Sequence, residues 1–108
     1  MEIHEVPIEQ LRHADYNPRQ IKEQDFAHLK QSLEKYGFVE PLVVNQAPGR
    51  ENVIVGGNQR FEAAKALGHK VVPFYFVAIP DLEAEKELNV RLNKNLGEWD
   101  WDGLSSYF

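Results

Sequence analysis

No cysteine occurs anywhere in the 108 residues. That absence removes disulfides, thiolate metal sites and thiol nucleophiles together. It fits a reducing compartment, and a chain of this length buries enough core to fold without a covalent staple. Long apolar runs are missing too, and the start "MEIHEVPIEQ" lacks the basic-then-apolar order of a leader. The sequence is therefore read as cytoplasmic, with no membrane partner. Clustered positive charge is also scarce, and the net charge is -5. Broad binding to a phosphate backbone needs many cations, so this domain alone is not expected to hold DNA that way. A few converging arginines can still hold one small anion.

Catalytic constellations are equally sparse. His4, His13, His28 and His69 are scattered without the spacing of a metal site, and they read as ordinary surface or helix-face residues. No Ser-His-Asp arrangement stands out.

What is present is a sequence of short, well-punctuated elements. Ile3–Leu11 reads as a short edge strand broken by Pro7. In "EQDFAHLKQSLEKYG", Phe26, Leu29, Leu33 and Tyr36 recur at helical spacing, Asp25 is a candidate cap and Gly37 a natural stop. "EPLVVNQ" and "NVIVGG" flank the turn "APGREN", which predicts a hairpin. "NQRFEAAKALG" is a second helix, buried through Phe61, Ala64 and Leu67 and ended by Gly68. "KVVPFYFVAI" reads as a buried strand interrupted by Pro73. Residues 81–97 form a third helix capped by Asp81, with Leu82, Leu88 and Leu92 on its stripe and Ala84 and Leu96 at its margins. The hairpin argues against a purely parallel sheet. The expected class is α+β, a small mixed sheet with three to four helices packed on it.

The stretch with the most chemistry is "VIVGGNQRFEAAKALG". Backbone N–H groups at a helix start lack partners inside the helix and, with the helix dipole, form an anion site. Gly56 and Gly57 would allow close approach of a phosphate, since no Cβ intervenes. Arg60 in the first turn can bring a forked donor, and Asn58 can cap the helix or donate to a ligand. The plainer alternative is a tight strand-to-helix turn with Asn58 as N-cap and Arg60 as a surface charge.

At these residues the chain resembles the ParB N-terminal domain, which shares a fold with sulfiredoxin. "NPR" at Asn17–Arg19, then a helix, then "GFVEPLVV", then "VIVGGNQRFEAAKALGHKVVPFYFV" follow that family's order of motifs from about Ile3 to Leu96. The ending "RLNKNLGEWDWDGL" looks most like ParB-like domains preceding DNA methyltransferase domains in phage and bacterial proteins.

The resemblance implies a ParB/sulfiredoxin-like fold and a nucleotide or phosphate site lined by Arg19, Gly56, Gly57, Asn58, Gln59 and Arg60. A nucleoside triphosphate, CTP or ATP, is the implied ligand. ParB proteins place Gly-Glu-Arg-Arg at this turn; here it reads Gly57, Asn58, Gln59, Arg60. A partition ParB also carries Glu-Asn on its third helix for magnesium. This chain has Lys94 and Asn95, so Asn95 is only a weak metal candidate and Mg²⁺ is disfavoured. Sulfiredoxin has Gly-Gly-Cys-His-Arg; Asn58 replaces its cysteine, which excludes that thiol chemistry.

The functional expectation is a phosphate-binding module in a DNA-modification, phage or plasmid-maintenance protein, with DNA contacted through other domains and a homodimer as a family-implied state. A nucleotide-dependent phosphotransferase or nuclease of the same fold is the alternative, with Glu40 as a weak general-base candidate. A protein-interaction domain with a decayed phosphate site is the third. Residues 1–97 are expected to form the ParB-like domain and 98–108 to begin a further helix, either truncated from a longer protein or a short terminal helix docked on the core. There Trp99 and Trp101 either pack onto the domain or form a partner-binding patch.

Overall fold

The computed structural model describes residues 2–16 and 21–94. Arg19 and Asn95, the tryptophan-rich end and the further helix expected from 98 onward lie outside the described residues.

The described chain forms β1 (His4–Pro7), a 3-10 turn (Ile8–Gln10), β2 (Arg12–His13), α1 (Glu23–Tyr36), β3 (Leu42–Asn45), β4 (Val53–Gly56), α2 (Asn58–Ala66), β5 (Val71–Val77) and α3 (Leu82–Lys94). The strands make one five-stranded sheet in the order β1-β5-β3-β4-β2. β1 is antiparallel to β5, β3 parallel to β5, β3 antiparallel to β4, and β2 parallel to β4. The sheet is thus mixed and carries three helices, as the α+β expectation required.

Apolar side chains of α1 and α2 bury Leu33, Phe61, Ala63 and Ala64 against Leu42, Val44, Ile54, Val72 and Phe74. Burial of these side chains contributes about 1.5–3 kcal/mol for each large one. The edge position of β1 suits Pro7, which has no N–H for a ladder. Gly37 closes α1 at φ +71, and its N–H bonds Leu33 O at 2.9 Å.

Several sequence expectations need correction. Asp25 does not cap α1: Lys22 stands at the N-cap without a side-chain bond, and Asp25 lies in the first turn. Tyr36 is 65% exposed rather than part of the buried stripe, because the helix ends there, beyond the sheet. β5 is buried only at Val72 and Phe74, while Val71 and Phe76 are exposed.

The largest departure is α3. Asp81 does cap it, accepting from Glu83 N–H at 3.3 Å. Its buried positions, however, are Glu85 and Asn89, while Leu82 is exposed and Leu88 half-buried. These polar residues are four apart and therefore share a face. That face meets polar groups of the sheet and its turn. Asn89 Nδ2 donates to Val55 O at 2.9 Å. Glu85 accepts four hydrogen bonds: from Asn45, from Tyr16, and two from Arg50.

Candidate functional site

β4 delivers the chain into the site. All four of its residues are buried, and it leads straight into Gly57, which takes φ +88, ψ 23. That left-handed conformation turns the strand end into α2, and it favours glycine. A Cβ at Gly57 would lie 2.5 Å from Leu42 Cδ2 and 2.9 Å from Arg60 Nη2. At Gly56 it would lie 2.7 Å from Leu92 Cδ1. The two glycines therefore do different work. Gly56 admits α3 close to β4, whereas Gly57 makes the turn and leaves room for the Arg60 guanidinium.

The first intrahelical bond runs from Phe61 N–H to Gly57 O at 2.9 Å. The N–H groups of Asn58, Gln59 and Arg60 precede the helical ladder by geometry, at the positive end of the dipole. Gly57, not Asn58, holds the N-cap position, and no side chain caps this helix. The sequence reading of Asn58 as N-cap is corrected accordingly: Asn58 is the first helical residue, and its side chain turns elsewhere.

Arg60 is not a surface charge. Its side chain is 14% exposed, and Nη2 donates to Pro41 O at 3.3 Å. Its Nη1 lies 3.7 Å from Glu40 Oε2, an ion pair with a carboxylate that is itself 76% exposed. Burial lowers the guanidinium below its usual pKa, and Glu40 only partly opposes this. Arg60 Nε is buried without a hydrogen-bond partner. Asn58, 2% exposed, likewise has an unpartnered buried Nδ2. Leaving such a donor unsatisfied costs about 1–3 kcal/mol. These two idle donors lie two residues apart and on different sides of α2, and of the two the Arg60 guanidinium is the one whose charge suits an anionic oxygen ligand.

The structure thus brings together Gly57, Arg60 and Glu40, while the Asn58 carboxamide turns to His13, Gly56 faces Leu92 and Gln59 is half-buried. No group of three or more histidine, aspartate or glutamate residues that could hold a metal occurs among the described residues.

Sequence reasoning missed His13. Its Nδ1 lies 2.6 Å from Asn58 Oδ1 and its Nε2 lies 2.6 Å from Glu62 Oε1. The ring also packs edge-on against Phe61 at 5.1 Å. β2 is only two residues long, too short for a periodicity signal, so nothing in the sequence placed His13 beside α2. The Glu85 cluster was missed for a different reason: a glutamate on a helix reads as solvated until its partners are known.

The ParB N-terminal domain family matches residues 1–96. A nucleoid occlusion protein of Halalkalibacterium halodurans is 29% identical over 88% of this chain and 32% of its own length. A chromosome-partitioning protein ParB of Caulobacter vibrioides is 36% identical over 72% of this chain and 27% of its own. The chain therefore spans about a third of the curated relatives it matches. Among solved structures, the C-terminally truncated chromosome-partitioning protein ParB from Caulobacter crescentus complexed with CTP-gamma-S has a TM-score of 0.76 at 29% identity, covering 99% of this chain and 62% of that one. Sulfiredoxin from Arabidopsis thaliana shares the fold, with a TM-score of 0.65 at 23% identity over 73% of this chain and 88% of its own. With the match spanning nearly all of its length, this chain belongs to the ParB N-terminal domain family.

Proposed function

We propose that this domain binds the phosphates of a nucleoside triphosphate, CTP in the first instance, at the start of α2. The observation that carries the reading is Arg60, whose guanidinium is largely enclosed, has an idle Nε, and among the described residues meets the Pro41 carbonyl and the solvated Glu40 at 3.7 Å. A buried cation is costly unless compensated, and a phosphate is the compensating group that a helix start also favours. The CTP-gamma-S complex of the Caulobacter crescentus relative supports the choice of CTP. Gly57, Asn58, Gln59 and Arg60 would line the phosphate site through the helix start, Gly56 would support the turn from its packing against Leu92, and Arg19 would add a further cation as the family's motif order implies. Asn58 and Gln59 supply neutral amides where the family turn has Glu-Arg, so the phosphate charge falls mainly on Arg60 and the helix dipole.

The wider role is that of a nucleotide-responsive module in a DNA-segregation or DNA-modification protein of bacteria or phage, working in the cytoplasm. DNA contact would come from other domains or from partners, and self-association as a homodimer is part of the same proposal. Names of relatives such as nucleoid occlusion protein and chromosome-partitioning protein ParB support a DNA context. The "RLNKNLGEWDWDGL" ending favours the methyltransferase-associated branch.

Turnover would need a base. Glu40 is the nearest carboxylate in the set, but it is tied to Arg60 at 3.7 Å and widely solvated. It is better suited to leave Arg60 when phosphate arrives than to take a proton.

Calorimetry with CTP, ATP, ADP and GTP, with and without Mg²⁺, tests the reading on the wild type and Arg60→Ala. Saturable binding that disappears in Arg60→Ala is expected. No heat with any nucleotide at millimolar concentration would defeat it.

A further inference from the structure

Arg50 and Arg60 each face a carboxylate, but the two pairs are built differently. Arg50 holds Glu85 at 2.6 and 3.0 Å, and Tyr16 and Asn45 donate to the same carboxylate. Arg60 and Glu40 meet at 3.7 Å, longer than a charge-assisted hydrogen bond. Their side chains are also unequally placed, the guanidinium largely enclosed and the carboxylate widely solvated.

The Arg60 end is fixed without Glu40. Nη2 donates to Pro41 O at 3.3 Å, and the missing Cβ of Gly57 gives the guanidinium its place, since a methyl there would lie 2.9 Å from Nη2. The Glu40 end is free to turn. Phe38 packs against the core and Leu42 is fully buried, so the backbone is anchored on both sides of the point where Val39 and Glu40 project into solvent. Rotating the Glu40 side chain away uncovers the guanidinium and asks for no backbone shift.

We propose that Glu40 is the resident anion of the phosphate site: its carboxylate neutralises Arg60 and gives way to a phosphate oxygen, so that binding exchanges one anion for another and Glu40 holds the affinity below what Arg60 alone would give. This rests on the nucleotide reading above and adds a restraint on that same site. The chemistry favours the exchange. A phosphate has several anionic oxygens and can meet the guanidinium and the positive end of α2 together. The carboxylate that leaves is already hydrated, so little water has to be recruited to receive it. It still stands beside the ligand, in a domain whose net charge is -5, and its repulsion adds to the cost of the exchange.

The test is CTP affinity by calorimetry, at low and at high salt, on the wild type, Glu40→Gln, Glu51→Gln and Arg60→Ala, with urea unfolding of each. Glu51 is an exposed carboxylate on the β3–β4 turn, at the opposite end of β4 from the glycine turn, so its replacement removes the same charge without touching Arg60. Glu40→Gln should bind CTP about fivefold more tightly than the wild type, the upper worth of a solvent-facing ion pair. That gain should shrink at high salt, where such a pair is screened. Glu51→Gln should stay within about twofold of the wild type. The urea midpoint of Glu40→Gln should match the wild type's; a merely structural role would move the midpoint and ignore salt. Equal or weaker binding by Glu40→Gln, or an equal gain in Glu51→Gln, with binding still lost in Arg60→Ala, would overturn this inference and leave the nucleotide reading standing. No saturable binding by either the wild type or Glu40→Gln at millimolar CTP would defeat the nucleotide reading and this inference with it.

Discussion

Arg50 and Glu85 clasp each other across the domain, Nη2 to Oε2 at 2.6 Å and Nε to Oε1 at 3.0 Å. The pair ties the β3–β4 turn to the first turns of α3. Asn45 completes it: its Nδ2 donates to Glu85 Oε1 at 2.7 Å and to Ile79 O at 2.9 Å, while its Oδ1 accepts from the Ala47 and Ile79 N–H groups at 3.0 Å. Glu85 is fully buried, so its charge stands or falls with these partners. Arg50→Met leaves the buried carboxylate without its counter-charge, held only by Tyr16 and Asn45 among the described residues, and should cost about 3–5 kcal/mol by chemical denaturation. Replacing Arg50 and Glu85 together by apolar residues should cost clearly less than the sum of the single changes, a non-additivity that a double-mutant cycle reads directly.

Acid should act through the same cluster. Burial alone would raise the Glu85 pKa, but hydrogen bonds from Arg50, Tyr16 and Asn45 outweigh it and hold the group at about 2, below its ordinary 4.5. A group whose folded pKa is depressed stabilises the fold above its unfolded value and loses that contribution as pH falls through the folded one. Stability measured by urea titration should therefore be flat with respect to Glu85 above about pH 5 and fall between about 4.5 and 2. Glu85→Gln should remove this limb of the profile while lowering stability at neutral pH. The phenol of Tyr16 is pushed up, first by burial and then by its bond to Glu85, so it stays protonated as a donor throughout that range.

Arg60 should show the opposite balance between folding and binding. Its guanidinium is enclosed with an idle Nε, so the folded state gains little from it without a ligand. Arg60→Met should leave thermal stability unchanged or raise it by up to about 1 kcal/mol, while weakening CTP binding by tenfold or more. Arg60→Lys should recover only part of the affinity, since an ammonium lacks the fork. A large loss of stability in Arg60→Met would contradict this account.

Gly57→Ala should be worse than Gly56→Ala for binding, although both clash. At Gly57 the new methyl meets Leu42 and the Arg60 guanidinium in a backbone conformation that L residues rarely adopt. A cost above about 1–2 kcal/mol is expected from strain alone, together with displaced Arg60 and lost nucleotide affinity. At Gly56 the methyl meets Leu92, so the change should loosen α3 first and reach the ligand only indirectly.

Much of the fold was legible because its signals are local. The α1 stop at Gly37, the hairpin around "APGREN" and the glycine turn before α2 each depend on a few adjacent residues, and each appears as expected. The motif order singles out Arg60 and Glu40 as candidates, and the fold sets them 3.7 Å apart. What stayed hidden is what tertiary contacts decide. β2 has two residues, so no pattern announces it, and His13 reaches Asn58 across 45 positions of sequence. On α3, Glu85 and Asn89 take the most buried positions because they find partners on the sheet and its turn that no helical period encodes, leaving Leu82 exposed while Leu92 still packs on Gly56.

The enclosed strand β4 has one more consequence, and it concerns time. Val53, Ile54 and Val55 are wholly shielded from solvent, and the glycine turn hangs directly from their end. Their amides should exchange with deuterium only through the rarest, global openings. The ligand would then meet a turn already in its final shape before arrival, and association would not wait for the backbone to rearrange.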